Sequence, residues 1–106
     1  MKIIFIGDQG LKRAKTAEDL FAKRFETKSG GLFSDQPISK EELEWADLIV
    51  VMEDFQRRTI ANRFPEVYAK KQLISLEIQD KYEYNDPELI KILENKLNQI
   101  VEPIVH

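Results

Sequence analysis

The sequence of 106 residues contains no cysteine, and its single histidine, His106, is the last residue. The absence of cysteine excludes disulfide bonds, thiolate nucleophiles and zinc sites with cysteine ligands. Chain ends are usually poorly ordered, so a terminal histidine is badly placed for a Ser-His triad, a phosphorelay or a metal site. The chemistry of this protein is therefore limited to carboxylates, cations, hydroxyls and backbone groups.

The sequence also lacks a long apolar run and an excess of positive charge. Its longest apolar stretch, LIVVM at 48–52, is far shorter than the roughly 20 residues that span a membrane, and no signal-peptide pattern precedes it. With 16 Lys and Arg against 19 Asp and Glu, the net charge is −3, which argues against binding along a nucleic-acid backbone. We expect a cytoplasmic protein that binds neither membranes nor nucleic acid.

Glycine and proline are scarce, with four residues of each, and they separate segments of alternating strand and helix periodicity. Strands are predicted at 2–6, around 32–33, at 48–52 and at 72–78. Helices are predicted at 14–28, 40–46 and 54–63, and from Pro87 onward for about fifteen residues. This order predicts one α/β domain over residues 1–106, with three layers and helices on both faces of a parallel four-stranded sheet in the order 2-1-3-4.

Local sequence signals set several of these boundaries. The glycine pair at 30–31 is expected to end the first helix. Ser39 and Glu42 form a capping box that starts the second helix, whose Trp45 is expected in the core.

In a parallel sheet, ligands bind beside the carboxyl ends of the strands, where the predicted loops 7–13, 53–54 and 80–86 meet. The first loop has the parts of a phosphate cradle, with glycines at 7 and 10, a helix behind it and the forked donor Arg13. A strand-to-helix turn with glycines also occurs for steric reasons alone. The loop by itself therefore leaves phosphate binding open.

Four segments resemble the short, single-domain low-molecular-weight protein tyrosine phosphatases, and together they extend the resemblance over most of the chain. The segments are TAEDLF at 16–21, EELEWADLIVVME at 41–53, RFPE at 63–66 and DKYEYNDPELI at 80–90. The signature of that family is a Cys, five residues, an Arg and a Ser or Thr between the first strand and the first helix. An aspartate from a late loop serves as general acid. The resemblance implies the fold of these enzymes and a site in the first loop.

The sequence departs from the family at the reacting positions. Gly7 stands at the cysteine and Ala14 at the hydroxyl residue, whereas Arg13 and Asp80 match the arginine and the general acid. Removing the nucleophile of a covalent mechanism typically costs on the order of a million-fold in turnover. The resemblance therefore implies a pseudophosphatase, a catalytically inactive relative that has a binding or regulatory role and no intact catalytic set.

The remaining loop residues are candidates for anion binding, with phosphate, sulfate or a phosphorylated peptide as the ligand. Loop amides, the helix dipole and the Arg13 guanidinium all favour an anion, and Gly10 can supply the positive φ for which the family often uses asparagine. Asp8 opposes an anion if its carboxylate turns inward. The candidate residues are Asp8, Gln9, Gly10, Leu11, Lys12 and Arg13.

Two other functions remain open. Asp8, Glu53 or Asp80 could serve a metal-dependent enzyme that acts on a phosphoryl substrate, since paired acids at strand ends bind Mg²⁺. We favour a structural role for this region, with Asp54 capping a helix and Glu53 bracing a loop, so we predict no metal and no cofactor. The second alternative is an interaction domain that binds a protein partner and no small ligand.

Two further groups of residues have competing interpretations. Tyr82 and Tyr84 resemble the aromatic rim that flanks phosphotyrosine in the family, although packing against the last helix explains either one equally well. Arg57, Arg58 and Arg63 are predicted to form a solvated face, with a partner contact as the less favoured interpretation.

Overall fold

The computed structural model describes the backbone of residues 1–105 and the side chains of residues 1–100. His106, which we predicted to be frayed, lies outside the described residues. No helix in the described part of the chain is long and apolar enough to cross a membrane.

The described residues form a parallel sheet whose strand order is β2-β1-β3-β4, which confirms the predicted topology. Every connection between successive strands contains at least one helix, as expected of crossover connections in a parallel sheet. The strands are β1 (Lys2–Gly7), β2 (Glu26–Gly31), β3 (Leu48–Val51) and β4 (Gln72–Ser75). The helices are α1 (Arg13–Phe21), α2 (Lys40–Trp45), α3 (Asp54–Arg63), α4 (Pro65–Lys70) and α5 (Pro87–Val105).

Two apolar clusters, one on each face of the sheet, form the core. Successive side chains of a strand point to opposite faces, so β1 and β3 contribute to both clusters. Ile3 and Phe5 pack with α1 and α5, whereas Ile4 and Ile6 pack with α2, α3 and α4. The two central strands are thus covered on both sides, and their carboxyl ends are left for the site.

The segment 22–33 differs from its prediction. Helix α1 ends at Phe21 instead of residue 28, and residues 26–31 form β2, whereas the predicted strand around 32–33 lies just after it. β2 is an edge strand with the polar sequence ETKSGG, so its own pattern does not indicate a strand, and backbone pairing with β1 decides its structure. The glycine pair at 30–31 therefore ends a strand and not a helix.

The remaining elements agree with the predictions only in part. The capping box of α2 is confirmed, because the Ser39 hydroxyl accepts a hydrogen bond from the Glu42 amide at 3.1 Å. Trp45 is only partly buried and packs at the edge of the core, with Lys28 Nζ 4.6 Å from its ring centroid. Helix α4 was not predicted, β4 is shorter than expected, and α5 extends over 19 residues.

Candidate functional site

The loop between β1 and α1 packs directly onto the end of β2. Gly10 has a φ of 76°, which confirms its predicted positive φ. A Cβ atom at Gly31 would lie 2.4 Å from the Gln9 carbonyl carbon and 2.6 Å from the Asp8 oxygen. No real Cβ makes such contacts, so Gly31 is needed because the loop backbone occupies the space of a side chain.

This loop lines a pocket of about 180 Å³ at the carboxyl edge of the sheet. Among the described residues, none of the loop amides from Asp8 to Lys12 donates a hydrogen bond to another protein group. The structure brings all the predicted anion-binding residues to this pocket together with the family-matched positions. Its lining residues are Gly7, Asp8, Gln9, Gly10, Leu11, Lys12, Arg13, Ala14 and Asp80.

Arg13 is buried beneath the pocket, with 3% of its side chain exposed, and acceptors from three other segments surround its guanidinium. Its Nη1 lies 3.2 Å from Glu53 Oε1 and also donates a hydrogen bond to the Ile78 carbonyl oxygen. Its Nε lies 3.7 Å from Asp80 Oδ1, and its Nη2 lies 4.0 Å from Asp8 Oδ2. The guanidinium therefore has one hydrogen bond, to the Ile78 carbonyl oxygen, and three carboxylates of the protein itself within 4.0 Å.

The structure identifies Gln56, a fully buried residue of α3, as a further part of this network. Its side-chain oxygen accepts hydrogen bonds from the amides of Met52 and Glu53, at 2.8 and 3.0 Å. Its amide nitrogen donates to Asp8 Oδ1 at 2.8 Å, which holds the Asp8 carboxylate on the inner side of the loop. Gln56 was not predicted as a site residue, because its only signal in the sequence is its place in the first turn of a predicted helix.

The pocket has no excess of positive charge, because its lining contains the acids Asp8 and Asp80 as well as the bases Lys12 and Arg13. Asp8, Glu53 and Asp80 face a single guanidinium, and the nearby Lys12 ammonium is paired with Glu83 at 3.0 Å. Such an arrangement repels a phosphate dianion, because like charges at short range disfavour each other.

The acids at the strand ends were the candidates for a metal site. Among the described residues, no group of three or more acidic, histidine or cysteine side chains could hold a metal ion. Glu53 is the N-cap of α3, so the prediction that Asp54 caps this helix was wrong. Asp54 instead accepts a hydrogen bond from Arg57 Nε at 2.6 Å, and this bond lowers the pKa of the Asp54 carboxyl.

Position 7 has room for a side chain. A Cβ atom on Gly7 would lie 3.6 Å from Ala14 Cβ and 3.7 Å from the Gly10 nitrogen, both ordinary van der Waals distances. The loop therefore does not require a glycine at this position for steric reasons.

The predicted aromatic rim does not line the pocket. Tyr82 is buried in the core cluster that includes α5, and the Tyr84 hydroxyl donates a hydrogen bond to Asp19 of α1. That bond lowers the pKa of Asp19 and raises the pKa of Tyr84. The aromatic pair beside the loop is instead Phe33, which is exposed, and Phe55, which is partly buried. Their rings stack with centroids 6.5 Å apart.

The predicted arginine face is solvated only in part. Arg58 and Arg63 are exposed, whereas Arg57 is partly buried. The Arg57 guanidinium donates a hydrogen bond to the Tyr68 hydroxyl at 2.7 Å, which joins α3 to α4.

Solved structures share this architecture over nearly their whole length. A YwlE arginine phosphatase, a Cys-to-Ser mutant with a phosphorylated active-site serine, has a TM-score of 0.82 at 21% identity, covering 98% of this chain and 95% of that one. The low-molecular-weight protein tyrosine phosphatase from T. tengcongensis has a TM-score of 0.73 at 20% identity, covering 98% and 97%. The tyrosine phosphatase Wzb from Escherichia coli K30, in complex with phosphate, has a TM-score of 0.72 at 18% identity, covering 96% of each chain.

The chain has the fold of the low-molecular-weight phosphatases. Identities of 18–21% show this fold alone and do not show an activity. No family model matches the sequence, and no curated protein matches it. The predicted fold is therefore confirmed, and the absence of cysteine means that a cysteine nucleophile is missing from this phosphatase fold.

Proposed function

We propose that this protein is a catalytically inactive relative of the tyrosine phosphatases that acts by binding other molecules. The observation that carries the proposal is the internal pairing of Arg13 with Glu53, Asp80 and Asp8. In a phosphatase loop the arginine must be available to the phosphoryl group, because positioning and charge stabilisation supply most of the catalysis. Here three carboxylates occupy the surroundings of that cation, and glycine replaces the nucleophile beside it.

Purified protein is expected to hydrolyse an aryl phosphate no faster than the buffer does, with or without Mg²⁺. No described side chain in the pocket offers a nucleophile that a base could activate, and the carboxylates repel the substrate dianion. An active low-molecular-weight phosphatase, assayed alongside, provides the positive control. A turnover above about 0.1 per second, far below the enzyme median of roughly ten per second, would contradict the proposal.

The variant Gly7→Cys tests whether restoring the nucleophile alone restores turnover. The added side chain fits sterically, so the variant should fold, yet we expect little recovery of turnover. Ala14 cannot donate a hydrogen bond to a thiolate, and the nearby Asp8 carboxylate disfavours the charged sulfur. Turnover approaching that of the positive control would show that the nucleophile alone had been lost.

A weak residual anion site is the second candidate function, and the unpaired amides of the loop favour it. These amides and the N terminus of α1 attract an anion, whereas the carboxylates around Arg13 oppose it. We expect a dissociation constant for phosphate no lower than about one millimolar, which corresponds to roughly 4 kcal/mol.

A titration of the labelled protein with phosphate or vanadate, followed through amide chemical shifts, tests the second candidate. Shifts should be confined to residues 7–14. The variant Glu53→Gln should tighten binding about threefold or more, because one competing carboxylate is neutralised. The variant Glu94→Gln, an exposed acid on α5, is the matched control and should leave the affinity unchanged. No shifts at tens of millimolar phosphate in either protein would exclude the site.

A further inference from the structure

An aromatic and cationic cluster, in which Phe33 and Arg63 are exposed and Phe55 is partly buried, lies beside the pocket, over the carboxyl ends of β2 and β3. Phe33 follows β2, and Phe55 lies in the first turn of α3, with an angle of 13° between the two stacked rings. The Arg63 guanidinium lies 5.0 Å from the Phe33 ring centroid. We call these three residues the Phe33 stack. Phe33 is 47% exposed, although burial of such a ring in water-excluded surroundings is favourable.

Hydrogen bonds hold the Phe33 stack in place. The Phe33 amide donates to the Asp8 carbonyl oxygen at 2.8 Å, and the Gln9 side chain donates to the Phe33 carbonyl oxygen at 3.1 Å. Arg63 Nη1 donates to the Leu32 carbonyl oxygen at 2.7 Å. A cluster that is already ordered loses little conformational entropy when a partner binds, which favours affinity.

Helix α3 gives the surroundings of the Phe33 stack more positive than negative charge, although the exposed Asp35 lies two residues after Phe33. Helix α3 contains three arginines and one aspartate, and that aspartate, Asp54, is held by Arg57. Arg58 and Arg63 are exposed, and Arg63 forms no ion pair within the described part of the chain. Arg63 uses one of five N–H donors on Leu32, which leaves donors for a carboxylate in the forked geometry that arginine favours. This cationic face stands out on a protein with a net charge of −3.

We propose that the Phe33 stack is a docking surface for an acidic segment of a partner protein. In this segment a carboxylate adjoins an apolar side chain, so that the carboxylate accepts hydrogen bonds from Arg63 while the apolar side chain packs against Phe33 and Phe55. Aromatic residues and arginine are the types that dominate binding energy at protein interfaces. The proposal rests on the binding role proposed above and names its partner class. The pocket residues Asp8 and Gln9 position Phe33 through hydrogen bonds, but no pocket side chain contacts the proposed partner segment.

A second arginine on an aromatic ring provides an internal comparison. The Arg24 guanidinium lies 5.3 Å from the Phe25 ring centroid and donates a hydrogen bond to Asn98. Phe25, however, is partly buried against the core and does not offer an exposed ring face like that of Phe33. Arg24 therefore contacts an aromatic ring as Arg63 does, but it lies outside the proposed docking surface. The variant Arg24→Gln is the matched control.

The test is a selection of random displayed peptides of about twelve residues on the immobilised full chain. Enriched peptides should contain Asp or Glu beside Leu, Ile or Phe. A synthetic enriched peptide should bind Phe33→Ala and Arg63→Gln about tenfold more weakly, the loss typical of a central interface residue. Arg24→Gln and Tyr84→Ala should bind it as the unaltered protein does. Phe33, Arg63, Arg24 and Tyr84 are exposed, so all four variants should keep the thermal stability of the parent.

Several outcomes would overturn this proposal. These are no enrichment, enrichment of basic peptides, or equal binding by Phe33→Ala and Arg63→Gln. Self-association in sedimentation equilibrium that Phe33→Ala abolishes would identify a second copy as the occupant and would equally reject an acidic partner segment. The aryl phosphate assay tests only the pocket. Turnover in that assay would reject the proposed inactivity, whereas a negative peptide selection would reject only the docking surface.

Discussion

Replacing Arg13 with methionine is expected to lower the free energy of unfolding by about 3 kcal/mol, the lower end of the range for breaking a buried ion pair. The side chain is 3% exposed, and its removal leaves Asp8, Glu53 and Asp80 facing one another without a cation. The lower end applies because Asp80 is 53% exposed and water screens its charge. Urea denaturation followed by circular dichroism measures the loss.

Two further variants show whether the network around Arg13 causes that loss. Lys12→Met removes an exposed cation paired with Glu83 and should change stability by no more than about 0.5 kcal/mol. The double variant Arg13→Met with Glu53→Gln should recover about 1 kcal/mol, because one unpaired charge is removed. A loss below about 1 kcal/mol for Arg13→Met would contradict the network and would favour an arginine that is kept free for a ligand.

The second large effect is expected at Gly31, where alanine should destabilise the protein by about 2–3 kcal/mol. The new Cβ would meet backbone atoms of Gln9 and Asp8 at 2.4 and 2.6 Å, and backbone cannot rotate away as a flexible side chain can. The loop must therefore move off the end of β2. For a domain of this size we expect the melting temperature to fall by roughly 10 °C.

Gly7→Ala is the matched control for this prediction, because Gly7 and Gly31 are register partners in the pairing of β1 with β2. The same methyl group added at Gly7 meets only ordinary contacts, the nearest at 3.6 Å. We expect a change within about 0.5 kcal/mol. Equal losses at the two positions would show that the cost arises from the strand pair as a whole and not from the loop packed on Gly31.

Strong local patterns accounted for the parts of the fold that were predicted correctly. β1 and β3 are short apolar runs, and α3 begins and ends where it was predicted, at residues 54 and 63. These segments carry their own signals, because buried parallel strands need apolar residues and a helix before a proline stops there. Pro65, however, also begins α4, since proline is favoured in the first turn of a helix.

Edge elements were predicted less well because their structure depends on a neighbour. The residues of β2 are mostly polar, and the hydrogen bonds that make them a strand come from β1. The same dependence explains Gly31, which was assigned to a helix end from local sequence. Its role becomes visible only when the loop after β1 is seen against it.

The sequence alone determined that this protein has no cysteine nucleophile. It also determined which three loops meet beside the sheet. Only the tertiary structure decided the state of Arg13, because its contacts join residues far apart in the chain. The hydrogen bond from Arg13 to Ile78 spans 65 positions, and the bond from Gln56 to Asp8 spans 48. No periodicity encodes such pairs, since they arise from the packing of separate loops at one edge of the sheet. That packing places three carboxylates around a cation that the sequence by itself left free for an anion.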